Sequence, residues 1–212
     1  VSILVSKYDL NVIPVIDDQD HILGIITVDD IIDVMEEEAT EDMLKMVGVE
    51  KDERANSPLF ISMKKRLPWL FINLGTAFLA AFVVGLFEDV IAQVVALVVA
   101  MPIVAAMGGN AGSQTLSIMI REIALGELNF RENWKIVLKE LGLGLINGAA
   151  IGIITGVILY INYNNIYLGL IIFLAMVINL VIACLSGFLI PITLKKIGID
   201  PALAASIFLT TA

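Results

Sequence analysis

Residues 101–115 read MPIVAAMGGNAGSQT, and the stretch just before them, VIAQVVALVVA (90–100), is almost wholly apolar. A membrane helix that then carries a proline, two adjacent glycines and a cluster of Asn, Ser, Gln and Thr requires an explanation. Pro102 has no N–H, so the carbonyl of Val98 loses its helical partner. Gly108 and Gly109 permit close approach by a ligand or a second helix. Free backbone carbonyls at membrane depth are tolerated only where they are buried in protein or line water. Asn110, Ser113, Gln114 and Thr115 add neutral side-chain oxygens to them. Two readings stand at this point: a surface suited to a hydrated cation, or polar groups that stitch helices together as the chain emerges from the bilayer.

Composition fixes the class around that stretch. Hydrophobic residues make up 58% of the 212 and the mean hydropathy is +0.92, far above the usage of soluble domains. Charge is unevenly placed. Residues 1–57 hold 15 of the 22 acids and 4 of the 13 bases, so they carry −11 and the remainder +2. An acidic soluble module thus precedes a membrane module, and no basic stripe exists to neutralise the phosphates of a nucleic acid. The single Cys184, in an apolar run, excludes a disulfide framework and reads as a small buried hydrophobe. No signal peptide opens the sequence, which starts inside a folded-looking segment and is read as an excerpt.

Outward from the opening stretch, four segments have the roughly 20 apolar residues that cross a bilayer core: Pro68–Phe87, Val90–Ile118, Gly142–Ile161 and Tyr167–Leu194. A fifth begins at Pro201 and is cut short at Ala212. All nine basic residues beyond the soluble module fall before the first span, between the second and third, or between the fourth and fifth. That bias puts those ends and the acidic module in the cytoplasm. Phe130, Trp134, Val137, Leu138 and Leu141 share a face that predicts an interfacial helix. Gly144, Gly148, Gly152 and Gly156 recur every four residues, a flat strip that serves either packing inside one chain or a dimer seam. Upstream, residues 11–27 (NVIPVIDDQDHILGIIT) predict a β-hairpin, followed from Val28 by a helix with Val28, Ile31, Ile32 and Met35 at apolar spacing. Residues 36–57 read as a linker helix and then a joint. The expected fold is therefore mainly α, a polytopic helical membrane domain over 58–212 preceded by a partial α/β module (1–35) and an acidic connecting segment (36–57).

Carboxylates are scarce in the spans: Glu88 and Asp89 lie near the outer end and Asp200 near the inner one. Mg²⁺ dehydrates reluctantly, so amides, carbonyls and one or two carboxylates can hold it through its water shell. The potassium-selective TVGYG run is absent. The second acidic constellation is TVDDIIDVMEEEATEDM (27–43), where Asp30, Asp33, Glu37 and Glu41 fall near one helix face and Glu38, Glu41 and Asp42 cluster beside it. Such a helix is either solvated or, joined to a pore, a divalent-ion sensor whose surfaces cations draw together. His21, the only histidine, sits among Asp17, Asp18 and Asp20, and no hydrolase triad can be assembled around it.

These motifs in this order resemble a known family. LNVIPVIDDQDHILGIITVDDIIDVM is similar to the closing half of a cystathionine-β-synthase (CBS) domain. EEEATEDMLKMVGV, KKRLPWL, MPIVAAMGGNAGSQT and IDPALAASIFLTT resemble the MgtE family of magnesium channels. The resemblance implies a homodimer with five membrane helices per subunit and a pore lined by the second and fifth. It implies a cytoplasmic Mg²⁺ sensor that closes the pore, with no enzymatic turnover. It matches Asn110, with Gly108 and Gly109 beside it, to the pore, and places Ser206 and Thr210 on the fifth helix of the ion pathway. Asp33, Glu38, Glu41, Asp42 and Asp200, with Asp30 and Glu37, fall where the family uses regulatory acids, and Asp89 joins them as a metal-ligand candidate. Thr27 and Asp30 match the CBS pattern for a nucleotide ribose. The implied ligands are Mg²⁺, transported and regulatory, and ATP or another adenine nucleotide at the CBS module. Two departures stand out: Ser206 replaces the Asn of some members, and the family's pore carboxylate would fall just beyond TTA. The alternatives are an ion-coupled secondary transporter of another divalent cation such as Mn²⁺ or Co²⁺, and a non-conducting membrane sensor.

Overall fold

A computed structural model describes residues 1–126 and 133–211, and these form two compact units, Val1–Pro58 and Leu59–Ala212. In the first, an unanticipated short helix α1 (Ser2–Tyr8) ends at Asp9 with φ 48°. The expected hairpin follows, β1 (Val12–Ile16) pairing antiparallel with β2 (Ile22–Thr27) so that Val12 faces Thr27 and Val15 faces Gly24. Its turn is tied by Asp17, whose Oδ1 accepts the backbone N–H groups of Gln19 and His21. Helix α2 (Val28–Lys45) runs unbroken past residue 36. Of its expected apolar face only Ile31 is buried, while Ile32 and Met35 remain 56% and 50% exposed. Its helical period is right, but the small hairpin covers little more than one turn of it.

The second unit holds four helices long and apolar enough to cross a membrane, which makes this a multi-pass membrane protein. They are α3 (Leu59–Gly85), α5 (Ala96–Ala124), α6 (Asn133–Tyr163) and α7 (Ile166–Lys196). A fifth helix, α8 (Pro201–Thr211), has 11 residues, about 16 Å at 1.5 Å per residue. The expected second span is divided. A short α4 (Glu88–Gln93) precedes α5, and the helix breaks at Val94, φ −130° and ψ 78°, an extended conformation that β-branched residues favour. The expected interfacial helix is also corrected. Trp134–Leu141 forms the opening turns of α6, continuous with the third span, because Gly142 alone does not stop a helix; Phe130 and Arg131 lie outside the described residues.

Close glycine contacts set the helix directions. A Cβ on Gly144 would meet Val181 Cα at 2.7 Å, one on Gly148 would meet Val177 Cα at 2.7 Å, and one on Gly156 would meet the Gly169 carbonyl at 2.7 Å. The strip on α6 is therefore filled by α7 of the same chain, running antiparallel, and gives no support to a dimer seam. Gly108 lies against Asn179, Gly112 against Ala183 and Gly187 against Thr115, so α5 runs parallel to α7. Leu209 of α8 lies on Gly112 from another side. Phe188 and Ile192 of α7 pack with Met119 of α5, and Ile136 and Val137 of α6 lean on them. By contrast α3 has no buried residue.

Candidate functional site

The polar stretch of α5 divides by face. Gly108, Gly112, Thr115, Leu116 and Met119 are buried, while Gly109, Asn110, Ser113, Gln114 and Ser117 are exposed. Asn110, Ser113, Gln114 and Ser117 stand at i, i+3, i+4 and i+7, one side of a helix. Ser117 Oγ donates to the Ser113 carbonyl at 2.9 Å. Among the described residues, no hydrogen bond or ion pair engages the side chains of Asn110 or Gln114. Unsatisfied polar groups cost several kcal/mol each in hydrocarbon, so this face is built for water, an ion or another polar surface, not for lipid tails.

The buried face does the stitching that the alternative reading assigned to the whole cluster. Asn179 Nδ2 of α7 donates to the Val104 carbonyl at 2.7 Å, and a Cβ on Gly108 would meet that same amide at 2.5 Å. Gly108 is thus a seat for a second helix, whereas Gly109, with nothing within 4 Å of a Cβ, stays open to a ligand. Thr115 Oγ1 donates to Glu140 Oε2 at 2.8 Å, and Glu140 is only 4% exposed. Neither Asn179 nor Glu140 was anticipated from sequence. A lone amide in an apolar span was the available signal for Asn179. Glu140 was hidden by its basic neighbours Lys135 and Lys139, which made it read as part of an interfacial polar face.

On α8, Ala202, Ala205 and Leu209 are buried, Ser206 is half-buried and Thr210 is exposed. Thr210 Oγ1 returns to the Ile207 carbonyl at 3.0 Å. Asp200 accepts from the Ala202 backbone N–H at 2.9 Å, capping the start of α8. Asp89 is exposed on the short α4. Among the described residues, no three His, Cys, Asp or Glu side chains converge tightly enough to hold a metal within the chain. Cys184 is a buried free thiol.

The acids of α2 border a groove of roughly 540 Å³ lined by Asp33, Glu36, Glu37, Glu41, Lys51 and Arg54 among others. Lys51 Nζ lies 3.3 Å from both Glu37 Oε1 and Glu41 Oε2, and Lys45 Nζ lies 2.7 Å from Glu41 Oε1. The Lys45 hydrogen bond, seconded by Lys51, holds the Glu41 carboxyl below its ordinary range. Glu37 and then Glu41 push Lys51 upward. Glu38 is exposed and Asp42 half-buried. Thr27 and Asp30 engage each other at the start of α2. Thr27 N–H and Oγ1–H both donate to Asp30 Oδ2, and the Asp30 N–H points back at Thr27 Oγ1, a capping box. The Thr27 hydroxyl lowers the Asp30 pKa.

Known proteins frame these features. Residues 101–212, just over half of the chain, match the family model MgtE, described as a divalent cation transporter. Three curated relatives carry the name "Magnesium transporter MgtE". That of Bacillus subtilis is 35% identical over all of this chain and 47% of its own length. That of Enterococcus faecalis is 35% identical over 98% and 46%. That of Thermus thermophilus is 32% identical over 100% and 47%. The chain spans about half the length of these relatives. With the stretch that opens on MPIVAAMGGNAGSQT lying wholly inside the matched region, the chain belongs to the MgtE family of divalent cation transporters.

Proposed function

We propose that this chain is the gating helix and conduction part of a homodimeric, Mg²⁺-selective channel in the cytoplasmic membrane. Hydrated Mg²⁺ passes along the exposed face of α5, where Gly109, Asn110, Ser113 and Gln114 offer neutral oxygens, with Ser206 and Thr210 of α8 contributing. The observation that carries the reading is that this polar face of a membrane helix is exposed among the described residues. Neutral oxygens suit an ion that keeps its water, because they can bind the hydration shell without stripping it. A double charge crossing 100 mV gains about 4.6 kcal/mol, roughly 2.3 per elementary charge, so inward flux needs no chemical fuel. Homodimerisation is supported by α3, which buries nothing in the single chain, and by the need to cover the α5 face with something other than lipid.

Gating follows from α2. The acids of α2 offer hard oxygen ligands, which fit Mg²⁺, and Asp33, Glu37, Glu38, Glu41 and Asp42 are the residues of this unit that would hold the regulatory ion, with Asp200 a separate candidate on the membrane unit. Mg²⁺ that binds the closed arrangement more tightly than the open one shifts the population toward closure. A nucleotide at Thr27 and Asp30 would have to share the Asp30 carboxylate with the capping box. The test is uptake of Mg²⁺ by proteoliposomes holding the intact protein under an inside-negative potential. The account expects uptake that internal millimolar Mg²⁺ suppresses and that Asn110→Leu reduces by about ten-fold or more. Uptake that requires an H⁺ or Na⁺ gradient, or no uptake at all, overturns it.

A further inference from the structure

We infer that Glu140 and Thr115 form a polar latch that fixes the rotational setting of α5, making Glu140 a positioning residue for the ion pathway; the inference rests on the channel reading above. Six other hydroxyls of the membrane unit return to their own helix backbone. Thr76 donates to the Asn73 carbonyl, Ser117 to Ser113, Thr155 to Ile151, Thr193 to Leu189, and Thr210 and Thr211 to Ile207. Thr115, itself 5% exposed, instead reaches across to a carboxylate on α6. That carboxylate is buried, with the exposed Lys139 Nζ 4.0 Å from its other oxygen. Its partner Thr115 is six residues inward of Arg121, about 9 Å along α5. Burying a carboxyl is costly unless it is hydrogen-bonded, and a well-packed apolar side chain of similar volume is often the more stable choice. Its presence in a packed helix junction therefore fits a role in register, the best-attested use of buried polar groups.

The geometry says which register. Gly187 packs on the Gly112 carbonyl and on Thr115 Cβ, so α5 is pressed onto α7 but retains no side chain at Gly112 to stop it turning. The Thr115–Glu140 bond supplies that stop from α6, which the glycine strip fixes to α7. Asn179 supplies the second point of attachment at Val104. The two bonds bracket Asn110, so turning α5 about its axis, which would carry Asn110, Ser113 and Gln114 toward lipid, breaks both.

The experiment uses the intact protein with the buried Cys184 retained and a single cysteine introduced at 110, 113, 114 or 117. Each is combined with Thr115→Val or Glu140→Met, which remove the bond, and with Thr115→Ser or Glu140→Gln, which keep a donor or an acceptor. Labelling by a membrane-impermeant thiol reagent and Mg²⁺ uptake are read on the same monodisperse preparations. Bond-removing variants should lower labelling and uptake about ten-fold, as expected for an orphaned buried partner, and the conservative variants should stay within about two-fold. Labelling unchanged by Thr115→Val and Glu140→Met, or equal losses in Thr115→Ser and Thr115→Val, overturns the latch. Failure of the parent protein to take up Mg²⁺ defeats the channel reading instead, and the labelling pattern still decides the latch.

Discussion

Lys51 stands 3.3 Å from Glu37 and from Glu41, so the acids assigned to regulatory Mg²⁺ already share a tethered cation. Mg²⁺ binding there must displace or outweigh that ammonium. Because Lys51 and Glu37 are both solvent-exposed, the competition is weak. Lys51→Gln should lower the internal Mg²⁺ concentration that half-closes the channel by about two- to three-fold, measured by patch recording of the reconstituted protein. A rise instead would show that Lys51 assists the ion. At the start of α2, the Thr27–Asp30 capping box makes its own prediction. The pKa of Asp30 is lowered in the folded state, so its contribution is present above the unfolded value and is lost as pH falls through the depressed one. Amide exchange at Asp29–Ile31, measured against pH in the intact protein, should lose its protection over that acidic interval. Thr27→Ala should remove about five-fold of the protection already at neutral pH.

Among the helices, the α6–α7 pair is the rigid scaffold. A methyl on Gly148 would sit 2.7 Å from Val177 Cα, backbone that cannot move aside, whereas a methyl on Gly142 meets nothing within 4 Å. Gly148→Ala should therefore lower the thermal unfolding midpoint in detergent by several degrees, the equivalent of about 1–3 kcal/mol of overpacking, and Gly142→Ala should leave it unchanged. Equal effects would mean that the strip does not pack as described. The existence of these helices was legible from length and hydropathy, and the glycine period was legible as a close-packing face. What covers that face was not, since a four-residue period is the same whether the partner is α7 or another chain. Helix ends were hidden for a related reason. Nothing between Trp134 and Gly142 breaks a helix, so the apolar face of that segment looked interfacial, although the backbone continues through it. Asn179 and Glu140 were overlooked because their roles exist only once α5 lies parallel to α7 and beside α6.

At the level of the molecule, an acidic module carrying −11 is joined to a membrane module whose nine bases sit at the start of α3, the end of α5, the start of α6, the end of α7 and the segment between α5 and α6. With α5 parallel to α7 and α6 antiparallel to both, Arg121, Lys135, Lys139, Lys195 and Lys196 lie at one end of these three helices, the kind of bias that orients membrane proteins. The polar face of α5 starts about two helical turns beyond Pro102 and reaches toward that basic end. The central claim is that Mg²⁺ moves along this face. Its most direct measurement is Mg²⁺ uptake by the intact protein carrying Asn110→Cys, before and after a water-soluble thiol reagent, with and without Mg²⁺ present during the reaction. The account predicts that modification abolishes uptake and that Mg²⁺ slows the modification. A fully modified Cys at position 110 with undiminished uptake would contradict it.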